Sequence, residues 1–379
     1  MRRFKYIAAV LCIAALTLCA VSCRDVTDAD LPQKDSSQTQ VQSGEETSQS
    51  AIGGADTEEV VTEEEIILDS SVSLTTGTVE SYLKRGSLKL LSSPGTTLTA
   101  EEYASLTEKY PSVRLITKVG FGTFTIDMTA TEIDISGNTV TDKAALEKVM
   151  AGLGDGTKLV MCDCGYTNEE MGALREKYTG IDFVWRIYLG KWSLRTDDEA
   201  FSVMIYASDT YDRLTSKDIE VLKYCTNLYA IDLGHQDITD LTTIGGLSDL
   251  RVLILADNKI TDLSPLANLK NLQYLELFVN SITDLSPLAE CTELVDLNFG
   301  WNRVYDLSCI YSLPKIERLW LPTNPVSEVK HGEIRENFPE ATIIFADENS
   351  VSSGWRTHER YFSMRGMFTN NKYDPNFVR

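Results

Sequence analysis

The feature that most constrains this chain is an apolar pattern that repeats every 22 residues in its C-terminal half. Four asparagines share this step, and three columns of mostly leucine side chains run with them. A fixed period of this length is typical of a solenoid, in which each turn buries its apolar edge against its neighbours. The asparagines are Asn258, Asn280, Asn302 and Asn324, and the columns are Leu228, Leu250, Leu272, Leu294 and Ile316, then Ile231, Leu253, Leu275, Leu297 and Leu319, then Leu233, Leu255, Leu277, Phe299 and Leu321.

Each regular turn, within residues 206–347, predicts a short strand followed by a polar bend. The spacing Leu-x-x-Leu-x-Leu places the last two leucines on one face of a strand. Stacked asparagines can form a ladder that satisfies buried backbone donors and acceptors where the chain leaves the strand. The Asp-Leu-Ser-Pro sequence at 262–265 predicts a helical turn with Ser264 as N-cap and Pro265 at its first position. We therefore predict an α/β solenoid with a parallel concave sheet and short 3-10 or helical segments on its convex side.

This 22-residue unit resembles the leucine-rich repeat of internalins, a class of bacterial surface proteins. Residues 250–266 and 272–288 carry the match, although Gln236 replaces the asparagine in the first turn and Cys309 replaces the later prolines. The resemblance implies a leucine-rich repeat horseshoe that recognises a protein on its concave face. The chain has no C-terminal wall-sorting signal, so host-cell adhesion and a housekeeping role in the envelope both stay open.

The N-terminus reads as an export signal. Residues 1–22 combine a basic start, with Arg2 and Arg3, and an apolar run at 6–21 that is too short to be a convincing membrane span. The small residues before Cys23 resemble a bacterial lipobox, which implies a diacylated Cys23. We expect a lipid anchor at the extracellular face of the cytoplasmic membrane, with a secreted protein as the alternative.

Residues 23–65 predict a disordered acidic tether. From residue 24 to residue 65 there are twelve carboxylates against Arg24 and Lys34, which is −10 of the chain's net charge of −21. With so little apolar surface such a segment cannot offset the entropy of ordering, and its own charge extends it. The acidic balance also argues against nucleic acid as a partner.

Residues 66–205 contain a weaker repeat with a longer period. A shift of 68 residues aligns 101–110 with 169–178, and the unit reads as helix, strand, Gly-x-aromatic and strand. Thr99 and Asn168 are the predicted N-caps of its two helices. We interpret this region as degenerate strand–helix turns continuous with the regular repeats. A separate small α/β domain docked on the repeats is the alternative.

The C-terminal residues 348–379 fall outside the repeat and are aromatic and basic. From Asn349 onward there are five Lys or Arg residues against Glu359 and Asp374. Because the last turn of a solenoid needs a cover, we interpret this tail as a cap. A partner-binding tail is the alternative.

The sequence contains no recognisable catalytic or metal-binding motif. The three histidines, His235, His331 and His358, have no metal-ligand spacing, and no phosphate loop or nucleophile elbow is present. Cys162 and Cys164 would face the same side of a strand, and we interpret them as buried thiols. We therefore expect a binding protein with no cofactor, no metal and no catalytic residues.

An enzyme with a site in residues 88–205 is the competing class. Its best candidates would be the duplicated acidic pairs Glu101 with Glu102 and Glu169 with Glu170. Acids in the first turn of a helix also stabilise the helix dipole, and this accounts for them without catalysis.

Strand positions between the leucines project onto the concave face, where we place the binding site. Exposed aromatic rings with interspersed charges have the composition of an interaction hot spot. The expected partner is a protein, with a wall glycan or a structural role in the envelope as alternatives, and we expect a monomer. The alternative for the rings is that they pack beneath the basic tail, folded back onto an acidic face. The candidate partner-binding residues are Tyr274, Glu276, Phe278, Asp296, Asn298, Trp301, Arg318 and Trp320.

Overall fold

The computed structural model describes residues 64–203, 213–346 and 354–378. The predictions for the signal peptide, for Cys23 and for nearly all of the acidic tether lie outside these residues. None of the helices in the described ranges is long and apolar enough to span a membrane.

The N-terminal part of the described chain alternates strands with helices and forms three small sheets. Strands β1 to β3 are parallel with β4 antiparallel at the edge, β5 to β7 form a parallel sheet, and β8 and β9 form a hairpin. The strands are β1 (Glu65–Ile67), β2 (Leu90–Thr99), β3 (Arg114–Gly120), β4 (Thr125–Asp127), β5 (Glu132–Asp134), β6 (Thr157–Val160), β7 (Ile181–Val184), β8 (Arg186–Leu189) and β9 (Trp192–Arg195). The helices are α1 (Thr76–Leu83), α2 (Ala100–Lys109), α3 (Lys143–Gly152) and α4 (Asn168–Lys177).

The 68-residue duplication is visible in how α2 and α4 begin. Each starts with a capping box, formed by Thr99 with Glu102 and by Thr167 with Glu170. The prediction of Asn168 as N-cap is therefore wrong by one residue. A threonine three residues before a glutamate forms both reciprocal bonds, and the Asn168 side chain instead accepts a hydrogen bond from an indole N–H.

The duplication extends to the contacts between successive helices. Lys109 and Tyr110, at the end of α2, both bond to Glu80 of α1. The equivalent pair at the end of α4, Lys177 and Tyr178, bonds to Glu147 of α3. The repeating unit therefore includes α1 and α3, which the sequence comparison had not included.

The regular repeats form one parallel sheet of seven strands in chain order. The register places equivalent residues side by side, so that Leu253 lies between Ile231 and Leu275. The strands are β10 (Ala200–Ser202), β11 (Ala230–Asp232), β12 (Val252–Ile254), β13 (Tyr274–Glu276), β14 (Asp296–Asn298), β15 (Arg318–Trp320) and β16 (Thr342–Ile344). The convex segments are the 3-10 turns Asp218–Tyr224, Ser264–Asn268, Ser286–Glu290 and Ser308–Ser312, with helices α5 (Thr242–Gly245) and α6 (Glu328–Asn337). The predicted leucine-rich repeat solenoid is confirmed.

The asparagine ladder satisfies backbone groups of neighbouring turns. The Asn280 side-chain oxygen accepts a hydrogen bond from the Ile260 amide at 3.0 Å, and its amide group donates to the carbonyls of Leu255 and Leu277 at 2.9 Å. The other three asparagines repeat this pattern. Gln236 extends the ladder by accepting from the backbone of the preceding turn. The predicted ladder is confirmed.

The start of each convex turn differs from the prediction. Ser264 is not an N-cap, because its own backbone amide is the donor, at 2.8 Å, to the side chain of Asp262. Asp284 holds Ser286 in the same way. An aspartate that bonds the backbone two residues further on makes an Asx turn, so the acid of the motif, not its serine, sets the bend.

The residue before each ladder side chain has a left-handed backbone in five successive turns. The φ angles lie between 51° and 61°, although the residue types share nothing. Valine and threonine disfavour this region, so the ladder and the parallel pairing impose it. The five residues are His235, Asp257, Val279, Trp301 and Thr323.

One apolar core runs through both halves of the described chain, from Ile66 to Ile334. This continuity favours the interpretation that residues 66–205 are irregular turns of the same solenoid. The sheets of the two halves are nevertheless separate. The domain boundaries at 205 and 347 stay a prediction, because they adjoin residues outside the described ranges.

Candidate functional site

The concave face of the seven-stranded sheet is covered by residues 354–378, here called the C-terminal segment. This segment contains helix α7 (Glu359–Asn370), which packs against β10 and β11. The segment does not form the predicted cap on the last turn, because its apolar side chains pack on the concave strands. The shared cluster comprises Ala200, Ala230, Val252, Ile254, Ala256, Tyr274, Phe278 and Trp320 from the sheet, and Trp355, Met364, Met367, Phe368, Tyr373 and Phe377 from the segment.

The predicted partner-binding residues do lie together on this face, but seven of the eight are buried. Only Trp301 is half-buried, with its ring edge-on to Phe278 at a centroid distance of 6.4 Å. The expectation of exposed rings is wrong, and the alternative in which a basic tail folds back onto an acidic face is what the structure shows. The role of these residues toward a partner stays a prediction. The seven buried residues are Tyr274, Glu276, Phe278, Asp296, Asn298, Arg318 and Trp320.

Trp355 is the anchor of the C-terminal segment. Its side chain is fully buried, with ring centroids 5.4 Å from Tyr274 and 4.9 Å from Trp320. Its indole N–H donates to Glu276 at 3.1 Å, and the Arg318 guanidinium lies 4.5 Å from the ring. Aromatic packing, a cation–π contact and a satisfied indole together fix one orientation of this ring.

Glu276 is a buried acid whose charge is matched by the segment. The side chain accepts hydrogen bonds from the Tyr274 hydroxyl at 2.9 Å and from Trp355. The Arg356 guanidinium lies 3.3 Å from its other oxygen. A buried carboxylate is tolerated when a cation and hydrogen bonds compensate it in this way.

Asp296 is the second acid that holds the segment. It pairs with Arg318 of the neighbouring strand through two hydrogen bonds, one of them at 2.8 Å. Arg360 of α7 approaches the same carboxylate at 3.0 Å and also pairs with Glu317. Two arginines of the segment therefore meet two carboxylates of the concave sheet, which fixes the register of the segment across the strands.

Asp232 is a third buried acid on the concave face, and it differs from the other two. It accepts hydrogen bonds from the Gly234 amide at 2.9 Å and from the Ser202 hydroxyl at 3.1 Å. Across the described ranges it forms no ion pair with a lysine or arginine. Burial, reinforced by the nearby Glu276, raises the pKa of this carboxyl to about 6, against the opposing effect of its hydrogen bonds.

We expect protonation of Asp232 to stabilise the folded chain at low pH. The unfolded carboxyl has a pKa of about 4, so the folded state binds this proton more tightly. The resulting stability is present below about pH 4 and is lost as the pH rises to about 6, with an upper limit of roughly 3 kcal/mol. Urea unfolding of the wild type and of Asp232→Asn at pH 4.5 and 7.5 measures this. Because the variant lacks this titrating carboxyl, its free energy of unfolding relative to that of the wild type should be higher at pH 7.5 than at pH 4.5. Parallel pH profiles for the two proteins would contradict the expectation.

Sequence reasoning missed the three residues of the segment that make the specific contacts, namely Trp355, Arg356 and Arg360. The available signal was the Trp-Arg-x-x-x-Arg spacing next to an acidic face.

The cysteine prediction holds in part. Cys162 and Cys164 are buried thiols, but they lie in the turn after β6 and point into different clusters, so they do not share a strand face.

Comparisons with known proteins find similarity to leucine-rich repeat proteins. The family model described as Leucine Rich repeats (2 copies) matches residues 248–290. An internalin C2 from Listeria monocytogenes is 31% identical over 37% of this chain and 70% of its own, with a TM-score of 0.29. Another internalin of that organism is 19% identical over 73% of this chain and 79% of its own, with a TM-score of 0.35. A leucine-rich repeat protein of Leptospira interrogans is 17% identical over 72% and 75%, with a TM-score of 0.30. No curated protein sequence matches significantly.

Proposed function

Because this chain belongs to the leucine-rich repeat proteins, with repeats of the internalin type, we propose that it is a protein-recognition module whose concave face binds a polypeptide segment. The observation that carries the proposal is that this face already holds a polypeptide, through an aromatic pocket and two buried acids. The structure presents the concave face with its own C-terminal segment bound, so a partner of similar chemistry would compete with that segment.

The chemistry of the face favours a polypeptide over a wall glycan. The first strands present Ala230, Val252 and Ile254, which are apolar and buried, and the later strands present aromatic rings and paired charges. Apolar and aromatic surface matches the amphipathic helix of a protein ligand. Glu276 and Asp296 hold arginines and an indole, which supports a role in recognition.

We further propose that this module works at the extracellular face of the bacterial cytoplasmic membrane. The export signal and the small residues before Cys23 support a lipid anchor there. The acidic residues 24–65 would act as a spacer between the anchor and the repeats.

The concave-face proposal is tested with a labelled peptide of residues 354–378 added to the full chain. In an Arg356→Ala/Arg360→Ala chain the resident segment binds the concave face more weakly, while the residues of the face itself are unchanged. We therefore expect the added peptide to bind this chain at least tenfold more tightly than it binds the wild type. The wild-type segment competes at the millimolar effective concentration typical of a short tether. Fluorescence anisotropy measures both affinities.

Arg365→Ala is the matched control, because Arg365 is an exposed residue of the same helix. This chain should behave like the wild type. Adding Glu276→Gln to the weakened chain should reduce peptide binding by about tenfold, the value of a lost charge-assisted hydrogen bond. A weakened chain that stays folded and shows no peptide binding would refute the proposed site.

A further inference from the structure

The three acids of the concave face are unequally matched by the C-terminal segment. Glu276 on β13 receives Arg356, and Asp296 on β14 receives Arg360. Asp232 on β11 is 8% exposed and, among the residues that the structure describes, has no cationic partner from the segment or from the sheet.

The charged groups around Asp232 act in opposite directions. Glu276 raises the pKa of Asp232 further, and His235, three residues after the same strand, lowers it, although the Nδ1 of this histidine is directed to Asp257 at 3.0 Å. Tyr361 lies on α7, which packs against β10 and β11; burial and the charges of Glu276 and Asp232 raise its pKa, against the lowering effect of Arg356 and Arg365. The Arg356 guanidinium is 5.7 Å from the Tyr361 ring but is committed to Glu276.

A buried carboxylate without a cation is costly, whereas a charge pair at the same place is tolerated or favourable. The resident segment therefore leaves one of three anionic positions unmatched. A ligand with a basic side chain at the position of Tyr361 would match all three.

We propose that Asp232 is a specificity-determining residue of the concave face, selecting a polypeptide partner that carries a third basic side chain beside its tryptophan and two arginines. This inference rests on the proposed function. Such a partner displaces the C-terminal segment because it supplies the cation that Asp232 lacks, where the helix of the segment carries the uncharged Tyr361. The segment is then the resident occupant of a site made for a more basic ligand.

The test compares three labelled peptides on the folded Arg356→Ala/Arg360→Ala full chain by fluorescence anisotropy. They are the parent sequence 354–378, a Tyr361→Lys peptide and a Tyr361→Phe peptide as the uncharged control. We expect the lysine peptide to bind about tenfold or more tightly than the parent, as a buried charge pair can provide. The phenylalanine peptide should bind like the parent.

The decisive control is the same series on a chain that also carries Asp232→Asn. There the advantage of the lysine peptide should disappear while the parent peptide still binds. Equal affinities for lysine and parent peptides on the unmodified face, or a lysine advantage that survives Asp232→Asn, would overturn the specificity role and leave the proposed function standing. Failure of all three peptides to bind would overturn both.

Discussion

Replacing Trp355 with alanine is expected to release the C-terminal segment from the concave face. The substitution removes a fully buried indole that packs on Tyr274 and Trp320, and it removes one of the three hydrogen-bond donors to Glu276. Loss of a buried tryptophan costs about 3–5 kcal/mol. Because the regular repeats have a separate core, this loss should appear mainly as opening of the segment.

Limited trypsin digestion measures that opening, since Arg365 lies in α7 and becomes cleavable only when the helix detaches. When opening is fast compared with cleavage, the cleavage rate follows the open population, so a loss of 3 kcal/mol predicts about a hundredfold increase. Phe362→Ala is the matched control, because this aromatic side chain of the same helix is 57% exposed. Equal cleavage rates in Trp355→Ala and the wild type would contradict the assigned role of the anchor.

Replacing Asn280 with alanine is expected to destabilise the regular repeats by about 3–5 kcal/mol. The change leaves the Ile260 amide without its acceptor in a buried ladder, and it removes one of two side-chain donors from the carbonyls of Leu255 and Leu277. An unsatisfied buried amide costs about 1–3 kcal/mol, and each lost hydrogen bond costs about 0.5–1.5 kcal/mol. The resulting loss is large compared with the total stability of a typical domain, so unfolding should begin at much lower urea.

Asn271→Ala is the control for the ladder variant. Asn271 lies in the same turn and donates one hydrogen bond to the Ser248 carbonyl, but this contact is exposed. We expect its urea midpoint to stay close to that of the wild type. Similar urea midpoints for the two variants would show that losing the buried ladder hydrogen bonds destabilises the repeats no more than losing one exposed hydrogen bond.

Much of the fold was predictable because the 22-residue period fixes which side chains stack. The leucine columns determine the strand register, and Asn280 and its equivalents determine the bends. The errors at Asn168 and Ser264 are local, because several neighbouring polar side chains compete to cap the same backbone group. The left-handed residues at positions such as Val279 carry no sequence signal, since the pairing imposes their conformation.

The candidate site was predictable only in part. Strand alternation correctly placed Tyr274, Glu276 and Trp320 on one face. The same alternation says nothing about what covers that face, which depends on a hydrogen bond between Trp355 and a residue 79 positions earlier. Contacts of that separation have no periodic pattern, so charge complementarity was the only available signal and it left both alternatives open.

Hydrogen–deuterium exchange of residues 359–370 in the full chain tests the occupied concave face most directly. We expect these amides to exchange slowly in the wild type and rapidly in Glu276→Gln/Trp355→Ala. A free peptide of residues 354–378 supplies the unprotected reference rate. Wild-type exchange as rapid as that of the free peptide would show that the segment does not lie on the sheet.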